Sequence, residues 1–139
     1  MSPSQSVADL GEHALIARLQ ARVAPPPSWV SLGTGDDAAV VAPARGEQLV
    51  LTTDSLVEDV HFRRALTPLD AVGYKTLAVN LSDLAAMGAA SRAALLSLAL
   101  PDTLLVSEFD AIVDGFLTLA AASGTALVGG NITRSPGPL

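Results

Sequence analysis

The second half of the chain is a succession of apolar segments whose spacing alternates between that of a helix and that of a strand. The predicted elements are a helix from Thr67 or Asp70 to about Met87, a buried strand over Ala93–Leu100, a helix over Leu104–Ala122 and a strand over Thr125–Val128. Gly88 is a typical residue to end the first of these helices. The order of elements predicts an α+β domain in which helices cover one face of a mixed or antiparallel sheet.

The first half of the chain predicts one helix and several strands. Residues 1–8 are polar, and we expect a flexible N-terminus there, followed by one domain over residues 9–139. A helical period begins at Asp9 and continues to Val23, where Pro25-Pro26-Pro27 ends it. The predicted strands are Ala38–Ala42, Gln48–Thr53 and, with a weaker pattern, Val57–Phe62.

Composition narrows the classes of function. Half of the 139 residues are apolar, which is enough for the core of one domain. A net charge of -6 with only eight Lys and Arg argues against nucleic acid as a partner. The absence of cysteine excludes disulfides, thiolate zinc sites and cysteine nucleophiles. No apolar run approaches the roughly 20 residues of a membrane span, and no signal peptide is recognisable, so we expect a cytoplasmic protein without a membrane partner.

Residues 77–88 form an almost wholly apolar helical segment that contains one carboxylate, Asp83. An ionised Asp in apolar surroundings is costly unless a positive charge meets it. Lys75, the chain's only lysine, lies two turns away and is too far to pair with Asp83. Asn80 and Asp83 share one side of the helix. The segment therefore predicts a bound cation, with an ordinary solvated face as the alternative.

Two further segments offer hard oxygen ligands. Gly33–Ala38 fits the spacing of a dinucleotide-binding loop, but its two adjacent carboxylates would repel a pyrophosphate and a strand-like segment follows instead of a helix. Thr52–Ser55 places hydroxyls and a carboxylate at the end of a strand, which suits Mg²⁺. Taken singly, either segment could be a plain turn or cap. His61 could equally be a structural histidine, and we expect His13 to be solvated.

Four blocks in this order resemble the amino-terminal half of the thiamine-monophosphate kinase family, within the superfamily of aminoimidazole ribonucleotide synthetase. The blocks are Gly35-Asp36-Asp37, residues 52–62 (TTDSLVEDVHF), residues 74–89 (YKTLAVNLSDLAAMGA) and residues 129–134 (GGNITR). The resemblance covers roughly residues 10–139. The second block distinguishes the kinase family from its relatives.

This resemblance implies a fold, an activity and a set of ligands. The fold is the amino-terminal domain of the superfamily, whose strands contribute to a barrel shared between two subunits, so a homodimer is expected. The activity is transfer of the γ-phosphoryl group of ATP to thiamine monophosphate, which gives thiamine diphosphate. Several Mg²⁺ ions are implied, with the ligands Asp37, Thr52, Thr53, Asp54, Asp83 and Asn131. The resemblance also implies that His61 contacts thiamine phosphate and that Gly130 and Asn131 lie against the ATP phosphates.

No residue is assigned as a catalytic base, because phosphoryl transfer depends on alignment and charge neutralisation. Asn131 stands where the family usually has Asp, so one metal site is expected to be weaker or absent. The family's second domain is also missing, and we expect that the chain is part of a longer protein and has little turnover alone. The alternatives are another ATP-using enzyme of the superfamily and a non-catalytic dimerisation fragment.

Overall fold

A computed structural model describes residues 5–139 of the chain. It contains four helices and four strands within those residues: α1 (Val7–Leu10), α2 (Glu12–Gln20), β1 (Val30–Leu32), β2 (Val40–Val41), α3 (Leu69–Ala86), β3 (Ala93–Pro101), α4 (Val106–Ser123) and β4 (Ala126–Ser135). The predicted α+β class is confirmed. The predicted mixed or antiparallel sheet does not form as one sheet. The described strands form one antiparallel pair, β1–β2, and one parallel pair, β3–β4.

The unit β3–α4–β4 carries the core. Parallel strands need a long crossover, and α4 supplies it. Alternate residues Leu96, Leu98 and Leu100 of β3 are buried in the core that α4 also enters with Phe109 and Phe116. Because side chains of a strand alternate between its faces, the intervening residues of β3 point away from this core, and Leu95 is 69% exposed. Helices therefore cover one face of this strand pair, as the sequence predicted.

The N-terminal helical segment differs from the expectation. It is divided in two, because Gly11 adopts φ 80° between α1 and α2. The first helix begins at Val7, two residues before Asp9, and Ser6 and Asp9 form a capping box. Val7 is buried, so this part of the predicted flexible N-terminus is packed, whereas residues 1–4 lie outside the described residues.

Three predicted strands are shortened or do not form. The strand predicted over Ala38–Ala42 contracts to β2, which pairs with β1, an element that the sequence did not reveal. The segments Gln48–Thr53 and Val57–Phe62 contain no strand. Residues 48–56 make no backbone–backbone hydrogen bond within the described chain, and a strand requires such a partner.

The last strand is longer than predicted. It was expected to end at Val128, but β4 continues to Ser135, so the Gly129-Gly130-Asn131 block lies inside a strand. The pairing of β3 with β4 shifts register by one residue just before this block. Helices α3 and α4 lie within a few residues of their predicted limits, although α3 begins after Pro68 without a side-chain cap from Thr67 or Asp70.

Candidate active site

The hydroxyl of Thr52 donates a hydrogen bond of 2.8 Å to Oδ2 of Asp83. This contact joins the irregular segment after β2 to the last turn of α3. Asp83 is exposed, so the expected cost of burying its charge does not arise. The Asp83 carboxylate is instead repelled by the end of its own helix. The C-terminal end of a helix carries partial negative charge, and the last turn of α3 contains no basic residue. A cation at Asp83 would relieve this repulsion.

A cavity of about 800 Å³ lies beside this contact. Successive residues 93–99 of β3 line it although their side chains alternate between faces, so the cavity runs along the edge of the strand. Within residues 5–139, β3 pairs only with β4, and this edge is the other one. The polar lining side chains are Thr52, Thr53, Asp54, Ser55, Thr76, Asn80, Ser91, Ser97 and Ser135.

Two predicted ligands therefore share the cavity with Thr52, namely Thr53 and Asp54, and both are exposed. Sequence reasoning missed Ser97 as a member of this lining. It is the one polar residue in the apolar run Ala93–Leu100, and that interruption was the available signal.

The predicted ligands Asp37 and Asn131 do not line this cavity. Asp37 lies in an exposed loop, where its backbone N–H donates to Oδ1 of Asp36 at 2.8 Å. Asn131 is exposed on β4 and is the register partner of Ser97, so it projects from the same side of the strand pair as a residue that does line the cavity. Asp83 is likewise absent from the lining and is joined to the cavity only through Thr52.

Gly130 allows β3 and β4 to approach closely. Its φ of 150° is unfavourable for other residues, and a Cβ built on it would lie 1.9 Å from the carbonyl oxygen of Leu96. No other residue fits this position without moving the strands. The glycine that the resemblance placed against nucleotide phosphates therefore has a structural reason to be glycine, independent of any ligand.

His61 lies in a tight loop between β2 and α3. Its ring Nδ1 accepts a hydrogen bond of 3.0 Å from the backbone N–H of Val57, and its carbonyl oxygen accepts one of 3.0 Å from Nζ of Lys75. Its neighbours Val57 and Phe62 line the cavity. The ring is exposed, so it is available to a ligand.

The residues fit a metal ion shared with a ligand better than a cage made by the chain alone. Within the described residues, no three His, Asp or Glu side chains are grouped so that they could hold an ion. Asp37, Asp54 and Asp83 are thus not brought into one cluster. Mg²⁺, however, is commonly held by one or two carboxylates together with waters and substrate phosphates. The Thr52–Asp83 pair is an oxygen donor set of that kind.

The strongest electrostatic cluster lies away from this site. Arg18 of α2 and Arg22, two residues beyond the end of α2, pair with Asp110 of α4, and the contact between Arg22 Nη1 and Asp110 Oδ1 measures 2.6 Å. Hydrogen bonds from these guanidinium groups lower the pKa of Asp110 from 3.8 to about 2, and the one from Arg18 has the largest effect. The cluster fastens the N-terminal helices to the core. None of its members lines the cavity described above.

Fold and site together define an α+β domain that presents, along the edge of a parallel strand pair, a largely apolar cavity with a set of oxygen donors at its lining. Residues 35–139 match the model of the family "AIR synthase related protein, N-terminal domain". The chain belongs to this family.

Relatives and solved structures agree with that placement. The chain is 42% identical to a thiamine-monophosphate kinase of Synechococcus elongatus over 95% of its own length and 38% of the relative's. It is 42% identical to one of Escherichia coli over 91% of its length and 38% of the relative's. A crystal structure of the kinase from Stenotrophomonas maltophilia superposes with a TM-score of 0.71 at 44% identity, covering 87% of this chain and 36% of that one.

One solved structure contains ligands. It is described as AaThiL complexed with AMPPCP and TMP, and it has 31% identity and a TM-score of 0.59 over 91% of this chain and 38% of that one. The chain thus spans little more than a third of the length of the relatives it matches. No helix within residues 5–139 combines the length and apolar character needed to cross a membrane.

Proposed function

We propose that this chain is the amino-terminal part of an enzyme that phosphorylates thiamine monophosphate to thiamine diphosphate with ATP and Mg²⁺. The observation that carries this proposal is the hydrogen bond between Thr52 and Asp83, because it joins oxygen donors from two separate segments beside a cavity. The names of the relatives and the AMPPCP and TMP in a solved neighbour support the choice of substrates.

Each proposed site residue has a role that follows from its position. Asp83 and Thr52 hold a cation at the C-terminal end of α3, and Thr53 and Asp54 extend the donor set into the cavity. Asp37 and Asn131 contribute from neighbouring segments, and Asn131 brings an amide oxygen without charge. Gly130 and Asn131 lie against the ATP phosphates, as the family resemblance implies, and His61 donates to the phosphate of thiamine monophosphate. Bound Mg²⁺ supplies charge neutralisation between two phosphates that otherwise repel each other.

We further propose that the chain is a cytoplasmic homodimer whose strands form a barrel shared between subunits. Two observations support the dimer. Residues 48–56 have no backbone partner within the described chain, and Leu51 is 87% exposed. The cavity edge of β3 is also unpaired within residues 5–139. Unpaired edges of this kind are templates for pairing with another chain.

Calorimetry on the 139-residue chain tests the proposal. We expect AMPPCP to bind only when Mg²⁺ is present, and thiamine monophosphate to bind more tightly than other phosphorylated metabolites. Nucleotide affinity that is the same with and without Mg²⁺ would contradict the metal assignment. Preference for another phosphorylated metabolite would favour a different ATP-using member of the family, and no binding of either ligand would favour a non-catalytic dimerisation fragment.

A coupled assay of ADP release tests the dependence on a second domain. With thiamine monophosphate, ATP and Mg²⁺, we expect the 139-residue chain alone to show little or no turnover, because it spans 38% of the length of a relative named for this activity. Turnover close to that of an intact relative would show that residues 1–139 suffice.

A further inference from the structure

The loop over residues 57–62 restrains His61 through its ring and its backbone. The N–H of Val57 donates to the ring Nδ1 of His61 at 3.0 Å, and the N–H of His61 donates to the carbonyl of Val57 at 2.8 Å. Nζ of Lys75 donates a hydrogen bond to the carbonyl oxygen of His61. Because Nδ1 accepts this hydrogen bond, the neutral ring must carry its proton on Nε2. The loop thereby presents an N–H donor on the far side of the ring.

This loop adopts a conformation that needs outside support. Asp59 has φ 66°, which is unfavourable for a residue with a side chain. Its N–H donates to the carbonyl of Phe62 at 2.8 Å, and Phe62 is buried against the cavity. A backbone in this region persists only when its surroundings restrain it.

Glu58 supplies that support through three hydrogen bonds. Its N–H donates to the backbone oxygen of Leu139 at 2.7 Å, and its Oε2 accepts from the N–H of Leu139 at 3.2 Å. Its Oε1 accepts from Nε of Arg64 at 2.6 Å. The Glu58 side chain is only 11% exposed. Arg64 also lowers the pKa of Glu58, so the carboxylate is charged at neutral pH.

We propose that Glu58 is a positioning residue: its carboxylate ties the loop to Leu139 and Arg64 so that His61 presents its Nε2–H to a phosphate. Glu58 itself touches no ligand and acts through the loop. The identity of that phosphate, the one on thiamine monophosphate, rests on the function proposed above. The positioning of the ring does not.

The experiment compares Glu58→Gln with wild-type protein and with Glu47→Gln. Glu47 is a matched control because it also pairs with an arginine, Arg92 at 2.6 Å, but lies outside the loop. The tautomer of His61 is read from the ring ¹⁵N shifts at about pH 8, where histidine is mostly neutral. The exposed His13 provides an internal reference in each spectrum.

We expect the Nε2–H tautomer alone for His61 in wild type and Glu47→Gln, and a mixture in Glu58→Gln. The dissociation constant of thiamine monophosphate should rise about tenfold in Glu58→Gln, as for one lost hydrogen bond to a charged group, while that of AMPPCP is unchanged. A single tautomer retained in Glu58→Gln, or a mixture already in wild type, overturns the proposal. If Glu58→Gln shows a mixture of tautomers but binds thiamine monophosphate as tightly as wild type does, the ring has no role in binding.

Two further measurements keep the outcome unambiguous. If Glu58→Gln loses the native backbone ¹H–¹⁵N spectrum, Arg64→Ala removes one of the three bonds and is read in the same way. If wild-type protein does not bind thiamine monophosphate, the proposed function fails, yet the tautomer comparison still decides whether Glu58 positions His61.

Discussion

Gly73 of α3 and Gly115 of α4 each lie directly against the backbone of the opposite helix. A Cβ built on Gly73 would be 1.9 Å from the carbonyl oxygen of Ile112, and a Cβ on Gly115 would be 1.9 Å from that of Asp70. Both glycines are buried. The two helices therefore cross with no side chain between them, and this crossing sets the position of α3 relative to the core.

We predict that Gly73→Ala destabilises the protein by about 2 to 3 kcal/mol, because the added methyl group forces the two helices apart. Denaturant unfolding measures the change. Gly137→Ala is the control, since a Cβ there meets nothing within 4 Å and should leave stability within about 0.5 kcal/mol of wild type. Equal stability of all three proteins would show that the helices do not pack this closely.

The Asp110 cluster predicts an acid dependence of stability. The carboxyl pKa is lowered from 3.8 to about 2 by Arg18 and Arg22, so the folded state binds the proton less readily than the unfolded state. Its contribution is complete above about pH 4 and is lost as the pH falls through about 2. After allowance for solvent screening, we expect this contribution to be about 1 kcal/mol.

Unfolding midpoints in urea between about pH 5 and pH 2 measure this contribution. We expect Asp110→Asn to be less stable than wild type at the upper end of that range and to lose part of the decline towards the lower end. Asp114→Asn is the comparison, because Asp114 is 61% exposed and meets Arg22 only at 3.5 Å. An identical pH profile for Asp110→Asn and wild type would contradict the assignment.

Replacement of the Asp83 carboxylate should weaken Mg²⁺-dependent nucleotide binding. We expect Asp83→Asn to lower AMPPCP affinity about tenfold, and Thr52→Val to lower it less, because the first loses a charge on the cation and the second a neutral oxygen. EDTA should abolish AMPPCP binding to wild type. Calorimetry measures all of these affinities.

Asp102→Asn is the control for that series, since Asp102 is a partly exposed carboxylate whose partner, Arg134, does not line the cavity, whereas the partner of Asp83, Thr52, does. Unchanged AMPPCP affinity in Asp83→Asn would remove Asp83 from the proposed metal site.

A lysine in place of Leu51 should separate the proposed dimer. Leu51 is 87% exposed in a segment without backbone partners, and a charge there would have to be buried on pairing. We expect wild type to scatter light as a dimer at micromolar concentration and Leu51→Lys as a monomer. Leu66→Lys is the matched control, because Leu66 is 77% exposed but lies in the turn before α3. A monomeric wild type would refute the dimer.

Sequence patterns located the elements that contain long, regular runs of apolar residues. The strand over Ala93–Leu100 and the helices α3 and α4 lie close to their predicted limits, because long periodic runs leave one choice of buried face. The strand predicted over Gln48–Thr53 does not form within the described chain. An apolar run favours a strand, but its backbone still needs a partner, and no pattern within the run shows which segment that partner is.

The candidate site divides in the same way. Residue types and order identified Thr52, Asp83 and His61 as oxygen or nitrogen donors. The argument from the cost of a charge in apolar surroundings does not apply to Asp83, since Asp83 is exposed at the end of its helix. The contact between Thr52 and Asp83, which are 31 residues apart, was not predictable from spacing. Nor was the dependence of the His61 loop on Leu139.

The sequence by itself determined the α+β class, the helices and strands of the second half, and the chemical types of the candidate ligands, because helical period, alternation and side-chain chemistry are local properties. Only the tertiary structure decided which donors meet, through the close crossing at Gly73 and Gly115, the Thr52–Asp83 contact and the three bonds of Glu58. These depend on distances between residues far apart along the chain, and such distances are set by the packing of the whole domain.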